Sequence, residues 1–373
     1  MVNNAMLTML CRAFPKKVTC YASRSAMPHL TTSECLNTKI VYANSANGKS
    51  AVLFRYLTSL LHNIWILLRS SQKDLLFYNY NNVFCLRILD LINRFKKATV
   101  VICCHGEMEF LSLDSSHDRA YKRLMSWLVN GYFNKNNHNP AEGMYFMVLG
   151  DRIKKNVSAF ISEELQARFL TIDHPVLPVD SYGEDCCVEK SPKKENRSNM
   201  VNLGTVGILN QHKGSELFLK LIQNLSDDSH KLKFHIIGHM QCEDKQFRQF
   251  GVKIPQKPEE PLPEESFMRE VNKLDFILYF YTSDKYKLTA SGAILDALRF
   301  RKPIIALRND YFEYFFEKFG AVGYLIDSVD EMASLIRNID QLNREFDFKN
   351  IAEKLKLESL QPCFDSIIKP LAR

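Results

Sequence analysis

Three short segments of this 373-residue sequence combine residue types that handle anions and protons. The run Thr205-Val-Gly-Ile-Leu209 passes into Asn210-Gln-His-Lys-Gly214 and then SELF, so a strand-like segment ends in a loop, a Lys, a Gly and a helix start. That order sets the Lys213 ammonium and a group of backbone amides where a phosphate fits, at the carboxyl edge of a parallel sheet. A plain Lys-Gly turn is the alternative. In the second segment Ser291 and Gly292 open the helical pattern AILDALRF, with Asp296 one turn further on. Ser is a good helix cap, Gly lets a ligand approach the backbone, and the amides and dipole at this end favour a diphosphate. Asp296 is then placed to accept hydrogen bonds from ribose hydroxyls; the alternative is a capped helix with an exposed Asp. In the third, His105 ends the apolar run VVICC and is followed by Gly106, Glu107 and Glu109. A His at a sheet's carboxyl edge meets ligands there, and a neighbouring carboxylate can act as a base or orient a hydroxyl. A satisfied structural His and a solvated acidic loop are the competing readings.

Other candidates carry less. The stretch ANSANGKS (43–50) is close to the phosphate loop G-x4-G-K-[S/T], but Ala43 stands where the first Gly belongs and removes the backbone freedom a phosphate cradle needs. With no Walker-B carboxylate to pair with it, it reads as an ordinary strand-to-helix loop, with Lys49 available to an anionic acceptor. No metal is expected: no D-x-D motif stands at a strand end, and His138 in NKNNHNP reads as a loop residue. The ten Cys residues form no C-x-x-C pair, and the adjacent pairs Cys103-Cys104 and Cys186-Cys187 are poor disulfide partners, which points to a reduced, cytoplasmic compartment. The first residues lack the basic start and clean apolar core of a signal peptide.

These segments need elements to hold them. Hydrophobic residues make up 46% and charged residues 24%, so a sizeable core can be buried, and the length suggests two domains. Short apolar runs alternate with helical patterns at 18–22, 39–43, 74–79, 99–104, 144–150 and 169–175. The alternation resumes with strands at 202–209, 233–238, 275–281, 303–307 and 322–327 and helices at 215–225, 292–300, 311–319 and 330–339. Such alternation predicts βα units and parallel sheets, twice over. The polar, aperiodic segment 184–200 separates an N-terminal domain (1–183) from a C-terminal one (201–345), and residues 346–373 are expected to form helices packing back toward the first. The chain opens on what reads as the middle of a helix, MLTMLCRAF, so the first strand of the N-terminal domain is expected to be missing through an incorrect start or a truncated sequence. The apolar segment Ala51–Leu68 is interrupted by Arg55, His62 and Asn63 and reads as a core or interface helix rather than a membrane span.

Charge is uneven. Residues 1–180 hold 21 Lys and Arg against 13 Asp and Glu, whereas the remainder holds 28 against 29. A basic N-terminal half suits an anionic acceptor or the anionic face of a membrane, with a solvated basic surface as the bland reading. No basic stripe interleaved with aromatics points to nucleic acid.

Taken in order, V-G-x-L-x-x-x-K-G, an apolar strand ending in Gly (HIIG), D-F-x-L, and S-G-x-x-x-D-A-L-x-x-x-K-P-I-I-A resemble the C-terminal domain of family 4 glycosyltransferases over residues 200 to 345. VVICCHGEMEFL and IDHPV are similar to that family's N-terminal domain. The resemblance implies the GT-B fold: two Rossmann-like, doubly wound parallel-sheet domains facing a cleft. It implies a nucleotide-diphosphate sugar as donor and a glycan or lipid-linked glycan as acceptor, in cell-surface polysaccharide synthesis at the inner face of the plasma membrane. No metal or other cofactor is implied, and the sugar is transferred with retention.

By position, the resemblance assigns Lys213 to the donor phosphates, the Ser291 and Gly292 amides to the diphosphate and transferred sugar, and Asp296 to the ribose. It adds Gly207 and Tyr286 to the donor site, and sets His105 facing the donor sugar with Glu107 beside it. Leu288 stands where the family has the first Glu of E-x7-E, and Ile208 where an Arg often precedes the Lys; Lys285, Lys287 and Arg308 are the cations available to compensate. Two rival functions share the architecture: a nucleotide-sugar 2-epimerase, which needs no acceptor, and a non-catalytic relative that binds a glycan or partner.

Overall fold

A computed structural model describes residues 2–24, 26–27, 30, 36–42, 49–112, 120–134, 139–176, 200–228, 230–282, 286–342 and 344–372. Residues 43–48 of ANSANGKS, His138, Lys285, Cys35, Cys186, Cys187 and nearly all of segment 184–200 lie outside them. The chain divides into two compact units. One comprises residues 1–177, 288–290 and 355–373; the other comprises 178–287 and 291–354.

The first unit begins with α1 (Val2–Ala13), β1 (Val18–Ser23) and β2 (Leu36–Val41), the two strands pairing in parallel. Next come α2 (Lys49–Arg69), β3 (Leu75–Tyr78), α3 (Leu86–Lys96), β4 (Thr99–Cys103), α4 (Ala120–Phe133) and β5 (Met144–Val148). Helix α5 (Asp151–Ser158) and the single turn α6 (Glu163–Gln166) lead to β6 (Phe169–Thr171). Strands β3 to β6 form a parallel sheet in chain order. Strand alternation splits its side chains between two helical layers. Val101, Cys103 and Met147 pack against α1 on one face. On the other, Phe146 packs edge-on against Phe133 of α4, ring centroids 5.0 Å apart.

In the second unit β7 (Val201–Val206), α7 (Ser215–Asn224), β8 (Leu232–Ile237), α8 (Lys245–Gln249), α9 (Glu264–Asn272) and β9 (Phe276–Tyr279) lead to α10 (Ala293–Phe300). Then follow β10 (Ile304–Leu307), α11 (Asp310–Phe319), β11 (Gly323–Ile326), α12 (Val329–Arg337) and α13 (Phe348–Leu355). The parallel sheet has the order β11-β10-β9-β7-β8. Phe276, Leu278 and Phe280 point into the core with Phe218 of α7 and Met332 of α12, and Tyr279 and Tyr281 point the other way, onto Phe312 of α11. Helices thus cover both faces, and the sheet is doubly wound. The last helix, α14 (Leu357–Ile368), belongs to the first unit, where Phe364 packs on Phe77 and Gln361 donates to Met9 O.

Among the described residues, no helix is long and apolar enough to cross a membrane.

Candidate active site

In the second unit, strand order reverses between β7 and β9: the chain goes from β7 outward to β8, then returns to the far side of β7 to build β9, β10 and β11. At such a switch point the connections leave in opposite directions and open a crevice at the carboxyl ends of the strands. The residues after β7 and β9 are Gly207 to Gly214 and Phe280 to Gly292, the segments that contain Lys213, Tyr286 and Ser291. After β7, Gly207 takes φ +91° and ends the ladder. Asn210 then caps a short turn, its side chain accepting from Lys213 N at 2.9 Å. Gly214 follows at φ +80°, and a Cβ there would meet Phe280 Cβ at 2.5 Å and Phe280 O at 2.6 Å. Lys213 is therefore held over the end of β9 by a close approach that only Gly permits.

The Lys213 ammonium lies 5.6 Å from the centroid of the Tyr281 ring. Tyr281 stacks on Tyr279 (5.5 Å) and against Tyr286 (4.5 Å), and Tyr279 donates to Ala293 O at 2.7 Å, tying β9 to the first turn of α10. Asp296 lies in that first turn, close enough for its charge and that of Lys213 to act on each other. Burial lowers the Lys213 pKa and Asp296 partly restores it. Burial also pushes the Asp296 carboxyl up to about 6, against the pull of Arg299 and Lys213. A desolvated cation within electrostatic reach of a carboxylate that holds its proton more tightly than usual, with buried aromatic walls, is suited to receive an anion and a hydroxyl donor.

Ser291 is buried as expected of a site residue, but it does not cap α10. The N-cap is Gly292, in right-handed backbone (φ −64°, ψ −17°), with no side-chain cap bond. The first amides of α10 are consequently not taken by a capping side chain. Nothing lies within 4 Å of a Cβ added at Gly292.

In the first unit, His105 and Glu107 come together in the turn after β4. His105 N donates to Glu107 Oε1 at 2.9 Å, and the imidazole Nε2 lies 3.1 Å from Asn79 O. Burial raises the Glu107 pKa, offset first by those backbone amides. Glu109 is engaged: its Oε1 accepts from Leu288 N at 2.8 Å, and Leu288 is itself buried. Asn81, which donates to Cys104 Sγ, keeps a buried carbonyl oxygen with no partner beside this turn. His174, of the IDHPV segment, is buried with its pKa lowered to about 4 by desolvation.

No family model matches the sequence, and no curated protein matches it. Solved structures do. The chain is similar to WaaG, a glycosyltransferase involved in lipopolysaccharide biosynthesis (13% identity, 98% of this chain and 95% of WaaG, TM-score 0.59), and to Anabaena HepE in complex with UDP (12% identity, 98% and 95%, TM-score 0.61). It also matches the GtfA/B complex at 14% identity over 84% of its own length, spanning 60% of that chain (TM-score 0.53). The chain has the fold of the GT-B glycosyltransferases.

With the GT-B fold established, the departures at the site gain a physical meaning. Leu288 is buried apolar surface rather than an acidic contact. Arg308 is not a free replacement for the missing cation, because its guanidinium is held by Asp327 at 2.6 Å and Glu313 at 3.3 Å. The sequence reading missed Tyr281, whose ring faces the Lys213 ammonium. Its signal is the period-two spacing of Tyr279 and Tyr281 in the apolar run DFILYFY, whose strand ends at the switch point.

Two outcomes are expected here. Gly292→Ala leaves the melting temperature unchanged or slightly higher, since its backbone is already helical, yet lowers affinity for a nucleotide-diphosphate sugar roughly tenfold by putting a methyl where the diphosphate approaches. A thermal melt checks the first and calorimetric titration the second, and undiminished affinity would remove the diphosphate from this helix end. Because the Asp296 pKa is raised, its carboxylate is lost as pH falls through about 6, and affinity for a nucleotide sugar falls with it. The sugar-linked diphosphate carries no ionisation of its own near neutrality, so the profile reports the protein. Asp296→Asn should bind about tenfold more weakly at neutral pH and lose this dependence. A variant that keeps the pH profile refutes the assignment. The sign for stability is opposite: a raised carboxyl pKa means the folded state holds the proton more tightly, so this group stabilises the ligand-free fold as pH falls below about 6.

Proposed function

We propose that the protein is a glycosyltransferase that moves a sugar from a nucleotide-diphosphate sugar, bound at the β7/β9 switch point, to a glycan or lipid-linked glycan acceptor. The observation that carries this reading is the convergence of Lys213, the uncapped amides of α10, Asp296 and the Tyr279–Tyr281–Tyr286 stack at that crevice. Lys213 and the α10 amides would take up the charge that develops on the departing nucleotide diphosphate, and Asp296 would hold the ribose. This stabilisation needs no metal ion. His105, set by its bond to the Asn79 carbonyl, and Glu107 would act on the sugar and acceptor hydroxyl, and the net basic first unit would hold an anionic acceptor.

The solved structures support the reading at the level of class. HepE is described with UDP and WaaG as a lipopolysaccharide glycosyltransferase. By extension we assign this chain to cell-surface polysaccharide synthesis, as a hexosyltransferase acting with retention at the inner face of the plasma membrane.

A titration panel of UDP, GDP, CDP and their sugars, followed by turnover with and without added glycan acceptor, tests the proposal. Expected are one preferred nucleotide, stabilised in a thermal melt, and acceptor-dependent release of that nucleoside diphosphate. Failure of every nucleotide to bind would reject the donor site. Conversion of the sugar nucleotide without acceptor would mark an epimerase instead.

A further inference from the structure

Tyrosines from three distant parts of the chain come together in the first unit. Tyr56 lies in the N-terminal half of α2, Tyr80 two residues past the end of β3, and Tyr121 in the first turn of α4. Tyr80 follows one strand and α4 departs after the next, so both stand at the carboxyl edge of the sheet, where ligands of parallel sheets bind, and Tyr56 meets them there. Tyr80 Oη donates to Tyr56 Oη at 3.2 Å, and the Tyr121 hydroxyl also hydrogen-bonds with that of Tyr56. Tyr56 is held in place: its ring packs edge-on against Phe84, centroids 5.2 Å apart, and Asn82 Nδ2 donates to its carbonyl at 3.0 Å. Tyr80 and Tyr121 are 52% and 53% exposed, so core packing does not account for them.

The chemistry of these side chains selects a ligand. The Glu107 carboxyl is near enough for its charge to act on Tyr56 and Tyr80, which sets the tyrosines beside the His105–Glu107 turn. Burial raises the pKa of Tyr56 and Tyr80 and pushes that of Tyr121 up to about 12, so all three phenols stay neutral and each hydroxyl can donate and accept. An anion beside Glu107 would be repelled. An alkyl chain would strip water from the hydroxyls without replacing its hydrogen bonds. A pyranose ring does neither: its rim of hydroxyls matches the phenol hydroxyls, and its C–H faces pack on exposed aromatic rings.

We infer that Tyr56, Tyr80 and Tyr121 form a subsite for an uncharged pyranose ring of the acceptor glycan, with Tyr80 and Tyr121 stacking on the ring and the chain of hydroxyls fixing its orientation. The inference rests on the reading of the protein as a glycosyltransferase, and charged groups of such an acceptor would lie on the basic surface outside the subsite.

The test uses the full chain and the methyl glycosides of glucose, galactose and N-acetylglucosamine, followed by saturation-transfer NMR. At least one glycoside should take up saturation on its ring protons. Tyr80→Ala combined with Tyr121→Ala, both at sites more than half exposed, should keep the melting temperature and weaken that binding about tenfold. Tyr80→Phe with Tyr121→Phe keeps the rings, removes two hydroxyls and should weaken it about three- to tenfold. Lys213→Ala, in the other unit, should bind the glycoside like the wild type, and the alanine pair should bind nucleotide sugars like the wild type. Should every nucleotide sugar fail to bind while the glycoside binds the wild type and not the alanine pair, the donor site is rejected and the glycan subsite stands. No saturation of any glycoside, or saturation undiminished in the alanine pair, would overturn the inference. A phenylalanine pair that binds like the wild type would mark an apolar ligand and overturn it as well.

Discussion

Lys213→Ala is expected to lower kcat/KM for sugar transfer by about 100- to 1,000-fold while leaving the protein folded. The ammonium lies 5.6 Å from the centroid of the Tyr281 ring, at the end of β9. A preorganised cation in a desolvated site contributes most where negative charge develops, here on the departing diphosphate. Removing it should not cost stability. The ammonium is partly desolvated without a compensating ion pair, and burial alone lowers its pKa, so its loss relieves a small strain on the ligand-free fold. Steady-state kinetics and a thermal melt of the same variant check the two halves. A large fall in melting temperature would make Lys213 structural, and unchanged kinetics would place the phosphate elsewhere. Lys213→Arg is not expected to restore full activity, because the larger planar guanidinium stacks on Tyr281 rather than pointing a compact charge at the ligand.

One residue further on, the expected effect falls on folding. Gly214→Ala requires left-handed backbone at φ +80° and drives a Cβ to 2.5 Å from Phe280 Cβ and 2.6 Å from Phe280 O. Phe280 is buried in the core of the second unit, so the neighbour cannot give way. Backbone strain and overpacking together should cost about 2–4 kcal/mol, or roughly 5 to 15 °C in the melting of that unit. Gly251→Ala is the control, since Gly251 has φ +68° with nothing within 4 Å of an added Cβ and should lose only about 1 kcal/mol. Equal losses in the two variants would show that conformational cost, not the contact with Phe280, governs position 214.

The strands of the second unit were legible because each is a short apolar run bounded by Gly, Pro or a polar loop. The run 202–209 predicts a longer strand than forms: the ladder stops at Val206 because Gly207 turns to positive φ. Ser before a helix usually caps it, which predicts Ser291 as the cap of α10. The chain instead enters helical backbone at Gly292, which pulls the serine out of the capping position. Segment Ala51–Leu68, whose pattern predicts a core or interface helix, forms α2, with Leu67 buried and Leu57, Leu61 and Leu68 exposed. Periodicity cannot say which of two apolar faces meets the core, and here both Leu67, which is buried, and Leu61, which is exposed, fit a helical stripe.

Local patterns by themselves determined the alternation of strands and helices, the residue types at 213, 291 and 292, and the His-Glu turn after β4. These follow from the neighbours within a turn or a strand, where sterics, capping and side-chain period act. Sheet order was decided only by tertiary structure. Placing β9 against β7 rather than against β8 depends on burying both faces of a five-stranded sheet under helices from distant parts of the chain. That choice brings Lys213 onto Tyr281 and within electrostatic reach of Asp296, and no short-range signal carries it.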